Sequence, residues 1–230
     1  MEQIEILFNK NVPERKYLIN KIKENEQILL KETAYLKYDK ITIGSNQFDL
    51  ENILQLFVES AYLFLKFRVL NSKFKDSNIA IYDRFALIGA LLSVDQDNDK
   101  RSIANAIVGL KCIAIESLIE FRLCHLKKNW NELATIAYKL SNEISSKNDL
   151  YELISYFISS IDKPSRVIIT DSLPPNIMVN GDIFPPFEFT KQFDLDLLLS
   201  VISKSPSHVI IKNQELLSNN LLETFRTLGK

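Results

Sequence analysis

Apolar residues in the middle of the chain recur three and four positions apart, the spacing that places side chains on one face of an α-helix. Helices are therefore predicted at five places, the first of them capped by Asp49: residues 49–65, 79–94, 102–125, 130–144 and 150–161. The polar run 95–99 is expected to form a solvated loop, and a bend is expected at 127–129. The third helix carries apolar residues on two flanks, so it is expected to be central and packed between neighbours.

The amino end shows the alternation of a β-strand, in which successive side chains point to opposite faces. Residues 4–8 alternate in this way, and residues 27–30 and 38–43 are rich in strand-forming residues. Between these segments, Pro13 is predicted to open a charged helix. Residues 1–48 are therefore predicted to form a small α/β unit.

The last part of the chain, residues 164–230, is rich in β-branched residues and turn signals. Asn180 and Gly181 form the dipeptide that supplies both positive φ angles of a type I′ hairpin turn. Asp194 is expected to cap a helix, and one more helix is predicted at the end of the chain. Strands are predicted at 166–170, 177–179, 183–184 and 209–211.

These patterns predict an α+β fold with a predominantly helical core and a small sheet built from N- and C-terminal strands. We expect a single α+β domain over residues 1–230. Its helical core at 49–163 joins the N-terminal unit at 1–48 to a β-rich C-terminal unit at 164–230. The patterns leave open whether the two sets of strands share one sheet.

The composition is that of a soluble globular protein, with 46% hydrophobic and 25% charged residues among 230. A formal net charge of -1 excludes a protein whose overall charge attracts it to nucleic acid or to an anionic membrane. No apolar stretch reaches the roughly 20 uninterrupted residues of a bilayer-spanning helix, and the amino end lacks the pattern of a secretory signal. We therefore expect a cytoplasmic protein without a membrane span.

The usual motifs of nucleotide and metal chemistry are missing from the sequence. With 5 glycines it contains neither the GxGxxG pattern nor a P-loop, so no nucleotide cofactor is expected. Asp95, Asp97 and Asp99 imitate the start of a calcium loop. The sixth position of that loop is Lys100 instead of Gly and the twelfth is Ala106 instead of Glu, so no metal site is expected.

The two cysteines, Cys112 and Cys124, fall in the predicted central helix, twelve residues apart. A rise of about 1.5 Å per residue separates them by roughly 18 Å, so they cannot form a disulfide with each other. We interpret them as buried, reduced thiols.

A narrow polar strip on the predicted central helix is the first candidate for chemistry, and it contains Asn105, Glu116 and Glu120. The two glutamates are four residues apart, a spacing that could serve a metal or raise one pKa by mutual repulsion. No second Glu-x-x-His completes a di-metal site, and the two histidines indicate no catalytic triad. Pairing with a Lys or Arg of another helix, or plain exposure to solvent, is the alternative interpretation.

Basic residues are concentrated in residues 100–147. This segment holds 8 Lys and Arg against 4 Glu, so its charge is +4 and the rest of the chain carries -5. Such a cluster can bind an anion, a phosphate or an acidic partner, whereas the alternative is ordinary helix-end charges with an arginine paired internally to Glu59 or Asp83. The candidate interaction surface lies near the predicted bend and consists of Arg122, His125, Lys127, Lys128 and Trp130.

The second half of the chain carries a series of short motifs: FRL at 121–123, NEL at 131–133, YELISYF at 151–157, DLL at 196–198, SPSHVII at 205–211 and ETF at 223–225. Together they resemble the YtxC-like sporulation proteins over roughly residues 101–230. The resemblance implies a cytosolic protein of an endospore-forming bacterium that is grouped with sporulation and has no established mechanism.

The leading hypothesis is a non-enzymatic, sporulation-associated protein that has an interaction or regulatory role and an unidentified protein partner. It would use the candidate interaction surface or an exposed strand edge of the β-rich end. The alternative is an enzyme or small-anion-binding protein with a site near Glu116 and Glu120. A nucleic-acid-binding regulator comes third, because the basic segment lacks interleaved exposed aromatic residues apart from Trp130. No cofactor is implied, and a homo-oligomer is left open.

Overall fold

The computed structural model describes residues 2–9, 19, 29–45, 50–159 and 165–229, and the predicted helix at Pro13 and the cap at Asp49 lie outside these residues. The strands are β1 (Glu2–Asn9), β2 (Leu29–Ala34), β3 (Tyr38–Ser45), β4 (Cys112–Ala114), β5 (Ser165–Ile169), β6 (Ile177–Val179), β7 (Asp182–Phe184) and β8 (Pro206–Ile211). The helices are α1 (Leu50–Phe74), α2 (Ile81–Ser93), α3 (Gln96–Ile107), α4 (Ile115–Ser117), α5 (Cys124–Glu143), α6 (Lys147–Ser159), α7 (Phe193–Ile202) and α8 (Asn219–Thr227). A π-helical turn covers Leu118–Arg122 and a 3-10 turn covers Gln214–Leu216.

The chain divides into two compact units. Unit 1 comprises residues 1–66 and 96–130, and unit 2 comprises residues 67–95 and 131–230. The α+β class with a helical core is confirmed. The described strands form two separate four-stranded sheets instead of one small sheet, because β4 completes the sheet of unit 1 and β8 completes that of unit 2. The organisation as a single domain stays a prediction.

The sheet of unit 1 has the strand order β2-β3-β1-β4. β1 is antiparallel to β3 and parallel to β4. Its alternating residues Ile4, Ile6 and Phe8 are at most 2% exposed, so one face of the strand lies in the core. The register sets Ile43 opposite Ile4 and Ile41 opposite Ile6, and both partners are also buried. Local alternation therefore predicted β1 correctly, and the strand-forming residues at 38–43 predicted β3 correctly.

The predicted central helix at 102–125 is wrong. α3 ends at Ile107, Gly109 adopts a φ of 75°, and β4 follows in parallel pairing with β1. A positive φ is the usual end of a helix and suits glycine, which has no Cβ. The residue just before the strand also supplies a partner for a backbone group of β1, since Glu5 N donates to Lys111 O at 2.9 Å. Pairing with a distant strand has overridden the helical spacing of the apolar residues.

α5 differs from the prediction as well. It runs without interruption from Cys124 to Glu143, so the expected bend at 127–129 is absent, and the break lies at Leu123 instead. The π-helical turn ends there, with Leu123 N donating to Leu118 O at 2.9 Å. That bond joins residues five apart, so the turn has a wider period than an α-helix and changes which side chains face the core.

The sheet of unit 2 has the strand order β7-β6-β5-β8. The predicted hairpin is confirmed: β6 and β7 are antiparallel, and Asn180 and Gly181 between them have φ angles of 53° and 97°. β5 is antiparallel to β6 and parallel to β8. The β-branched run predicted this strand, and its residues Val167 and Ile169 are fully buried.

α7 is buried along most of its length and packs against α2. At Gly89 of α2, an added Cβ would lie 2.9 Å from the Cβ of Ile202, so the two helices approach too closely for any other residue. The predicted cap at Asp194 is wrong, because the N-cap of α7 is Gln192, two residues earlier, and the helix begins at Phe193. Asp194 instead lies in the first turn, where it suits the helix dipole and accepts a hydrogen bond from Tyr82 Oη at 3.3 Å.

Candidate interaction surface

Trp130, the aromatic member of the candidate interaction surface, is buried. Only 2% of it is exposed, and its Nε1 donates a hydrogen bond to Asp99 Oδ2 at 2.9 Å. The cause is its position on α5, where Leu126 and Ala134, four residues away on either side, are also buried. Trp130 therefore does not belong to an exposed surface, contrary to the prediction.

Asp99 is the centre of a buried polar cluster in unit 1. The run 95–99 was expected to be a solvated loop, but α3 begins at Gln96 and only 5% of Asp99 is exposed. Its Oδ2 also lies 2.7 Å from Nζ of Lys66, whose exposed fraction is 1%. A buried carboxylate requires such a partner, since an unpaired charge in the interior costs several kcal/mol. The cluster thus joins α1, α3 and α5 within unit 1.

The predicted polar strip does not stay on one helix. Asn105 is exposed on α3, Glu116 is half-buried on α4, and Glu120 lies in the π-helical turn. Glu120 Oε1 forms an ion pair with Lys127 Nζ at 2.5 Å, and its side chain is 53% exposed. The alternative interpretation, pairing with a lysine, therefore describes Glu120. Within the described residues, no group of three or more His, Cys, Asp and Glu side chains could hold a metal ion.

The basic members of the candidate interaction surface do lie outside the core. Arg122, His125 and Lys128 are exposed, and Lys127 is half-buried. One guanidinium nitrogen of Arg122 donates to the backbone oxygen of Ala106 at 2.9 Å. This bond attaches the π-helical turn to the last turn of α3, and it replaces the internal pairing with Glu59 or Asp83 that the sequence suggested.

Two large apolar side chains near Arg122 are exposed. Phe121 is 79% exposed and Val108 is 69% exposed. Phe121 lies in the segment 102–125 that was predicted to be a helix packed between neighbours, but the π-helical turn directs its side chain outward. Single exposed apolar residues are common on protein surfaces, so these two gain significance only from the grooves that they line.

Two grooves flank the turn between α3 and β4. One has a volume of about 350 Å³ and is lined by Leu54, Val58, Arg101, Ile107, Val108 and their neighbours. The other has a volume of about 270 Å³ and is lined by the three residues of β4 and by Leu110, Phe121 and Arg122, among others. Both grooves lie within unit 1.

Three basic side chains lie in this region. Arg101, Lys111 and Arg122 are exposed, and none of them forms an ion pair within the part of the chain that the structure describes. By contrast, neighbouring Lys100 pairs with Glu59 at 2.7 Å. We define the turn surface as Arg101, Val108, Lys111, Phe121 and Arg122.

Only Arg122 of the turn surface was among the predicted site residues. Gly109 was the signal that could have located the rest, because a glycine inside a helical pattern often marks the end of a helix and a turn. The interpretation of the cysteines as buried thiols is wrong for the same reason, since the helix that was to bury them is interrupted. Cys112 and Cys124 are both free and exposed, and Cys112 lines the groove of about 270 Å³.

Unit 2 contains buried acids of its own. Tyr151 Oη donates to Asp83 Oδ1 at 2.5 Å, and burial together with this bond raises the pKa of Tyr151. Asp196 accepts hydrogen bonds on Oδ1 from Phe189 N at 3.1 Å and Thr190 N at 2.9 Å. Burial raises the pKa of Asp196 to about 6, although these bonds act in the opposite direction.

No family model matches the chain, and no curated protein and no solved structure matches it. None of the helices within the described ranges combines the length and the apolar character that a membrane-spanning helix requires.

Proposed function

We propose that the protein is a non-enzymatic interaction protein that binds an acidic segment of a protein partner through the turn surface. The observation that supports this proposal most directly is the 79% exposure of Phe121 beside cations that have no ion pair among the described residues. Aromatic residues and arginines are the residue types that contribute most to binding at protein interfaces.

The two kinds of residue would contribute differently. Covering the ring of Phe121 and the side chain of Val108 would remove apolar surface from water, and full burial of such a side chain is worth about 1.5–3 kcal/mol. Arg101, Lys111 and Arg122 would attract an acidic partner and orient it, which mainly raises the association rate. The exposed ion pair between Glu120 and Lys127 favours this interaction role over an enzyme site at the same place.

A role in sporulation is part of the same proposal and rests on the resemblance of residues 101–230 to the YtxC-like proteins alone. On that basis, the partner is expected among the proteins present in sporulating cells.

Photo-crosslinking tests the proposal. A benzoylphenylalanine at position 121 is expected to crosslink one dominant protein in sporulating cells, whereas the same group at Tyr156 is not. Tyr156 is a matched control because it is an aromatic residue of unit 2 that is 67% exposed. The purified partner should then bind the Phe121→Ala and Arg101→Glu variants at least about tenfold more weakly than the wild type. Equal crosslinking at both positions, or unchanged affinity of the two variants, would contradict the proposal.

A further inference from the structure

β4 forms one edge of the sheet of unit 1. It is last in the strand order, so one side pairs with β1 and the other pairs with no strand of the described residues. Glu5 N donates to Lys111 O, and the parallel register sets Glu5 opposite Cys112. In a parallel pair, alternate residues of a strand point their N–H and C=O groups to opposite sides. Ile113 therefore faces β1, while the N–H and C=O of Cys112 and the N–H of Ala114 face outward.

The groove of about 270 Å³ adjoins this outer edge. All three residues of β4 line it, together with Leu110, Leu118 and the exposed ring of Phe121. A chain that lay along the edge would therefore have an apolar recess within reach of its alternate side chains. Edge and recess together provide both the backbone and the side-chain contacts that an extended segment requires.

We propose that the partner segment binds as an added β-strand along the outer edge of β4. An apolar side chain of the segment enters the groove beside Phe121, and a carboxylate of the segment pairs with Arg122 or Lys111. This inference rests on the proposed function and specifies how the turn surface recognises its partner.

An extended segment fits the edge better than a helix does. A helix satisfies its own backbone groups and would cover the outward N–H groups of Cys112 and Ala114 without bonding to them. An unpaired strand edge is instead a template for another strand.

A separate acidic partner fits better than a second copy of this chain. Pairing of β4 with β4 of another copy would use the same patch twice, as every two-fold interface does. It would bring Lys111 and Arg122 of both copies together, and such like charges repel each other. β4 also has only three residues, so self-pairing would add few hydrogen bonds against this repulsion.

Substitution of Ala114 tests the edge directly. Ala114→Pro removes the outward N–H at an edge position, where proline is tolerated, and requires φ to move from -90° to about -65°. Ala114→Ser is the matched control because it keeps the N–H. The probes are peptides selected from a displayed random library on the wild-type chain, and their affinities are measured by fluorescence anisotropy. We expect acidic peptides with alternating apolar residues, about tenfold weaker binding to Ala114→Pro and a change within about threefold for Ala114→Ser.

Hydrogen exchange followed by NMR supplies the second measurement. The bound peptide should slow exchange of the Cys112 and Ala114 amides in the wild-type chain. Two further peptides carry N-methyl groups at alternate residues, one at the odd positions and the other at the even positions. Only one of them should lose affinity, because only alternate N–H groups of an added strand face β4. This measurement needs no variant, so it decides the matter even if Ala114→Pro fails to fold by circular dichroism.

The outcomes separate the two proposals. If the peptides bind and depend on Phe121, but the Cys112 and Ala114 amides exchange as fast as before, strand addition is wrong and the interaction function stands. If no peptide is selected, or if the selected peptides bind Phe121→Ala as tightly as the wild type, both proposals are wrong.

Discussion

Asp99 in unit 1 and Asp196 in unit 2 are both 5% exposed, yet the two carboxylates have different partners. Asp99 lies 2.7 Å from the ammonium group of Lys66 and also accepts the Trp130 N–H. Asp196 accepts two backbone N–H groups and forms no ion pair with any residue in the described part of the chain. The first carboxylate is neutralised by a charge, whereas the second is held only by dipoles.

This difference shows what each unit depends on. Unit 1 needs the cation, because Asp99 without Lys66 would be a buried charge whose remaining hydrogen bond within the described residues comes from the neutral Trp130 N–H. Unit 2 needs the Asp196 oxygen as a hydrogen-bond acceptor but does not need its negative charge, since the amides of Phe189 and Thr190 are neutral donors. Asp196 and Ser200, one helical turn apart on α7, attach the preceding loop by accepting its backbone N–H groups.

Removal of the cation in unit 1 is expected to have the largest effect. Lys66→Met keeps the length of the side chain but leaves Asp99 unpaired in the interior, so the free energy of unfolding should fall by about 3–5 kcal/mol. Denaturation in urea at neutral pH, followed by circular dichroism, measures this loss.

A double variant separates loss of the charge partner from loss of packing. Lys66→Met combined with Asp99→Asn removes both charges and keeps an acceptor for Trp130 Nε1. It should recover most of the stability, because neutral replacement of a buried ion pair is often close to neutral in free energy. If the double variant is as unstable as Lys66→Met alone, the buried charge is not the cause.

The sequence contained part of this arrangement. Lys66 stands inside the apolar run 61–70, and a lysine on the buried side of a helix implies an acidic partner. The partner itself could not be predicted, because Asp99 lies 33 residues further on, in a run whose composition is typical of a loop. Local composition indicates the conformation that a segment favours by itself. The buried ammonium group of Lys66 makes burial of the Asp99 carboxylate favourable, and local composition does not show this.

The strands show the same limit. The hairpin at Asn180 and Gly181 was predictable because its signal is local, two residues that accept positive φ between two short strands. β4 was not predictable, because its state is fixed by β1, more than a hundred residues earlier. Phe121 was misassigned with it, since a π-helical turn shifts the faces that a period of 3.6 residues predicts. Within the turn surface, composition identifies the basic residues Arg101, Lys111 and Arg122 as part of the segment 100–147, but it does not predict the exposure of Val108 and Phe121.

The second expected effect is a pH dependence in unit 2. The pKa of Asp196 is about 6 in the folded chain against an ordinary value of 3.8, so the folded state holds a proton between these values that the unfolded state has lost. Asp196 therefore lowers the free energy of unfolding as the pH rises through this window, by at most about 3 kcal/mol. Asp196→Asn stays neutral and keeps its acceptor, so it should be more stable than the wild type above about pH 6 and lose its advantage in acid.

Urea denaturation of both proteins on either side of the window measures this difference. Asp182→Asn is the matched control, because Asp182 is an exposed residue of β7 in the same unit. It should leave the pH dependence of the wild type unchanged. Parallel pH profiles for Asp196→Asn and the wild type would show that the backbone donors stabilise the carboxylate as well as Lys66 stabilises Asp99, and the contrast between the units would disappear.

The smallest effect is expected where a carboxylate is paired with a cation and is also exposed to solvent. Glu120 and Lys127 form an ion pair like that of Asp99 and Lys66, but their side chains are 53% and 37% exposed. Solvent already screens these charges, so Glu120→Gln should lower the free energy of unfolding by less than about 1 kcal/mol, and high salt should abolish the difference. Urea denaturation at low and high salt measures it. A loss of unfolding free energy as large as that of Lys66→Met would mean that Glu120 belongs to a preorganised polar site. That result would favour the enzyme or anion-binding hypothesis over the interaction role.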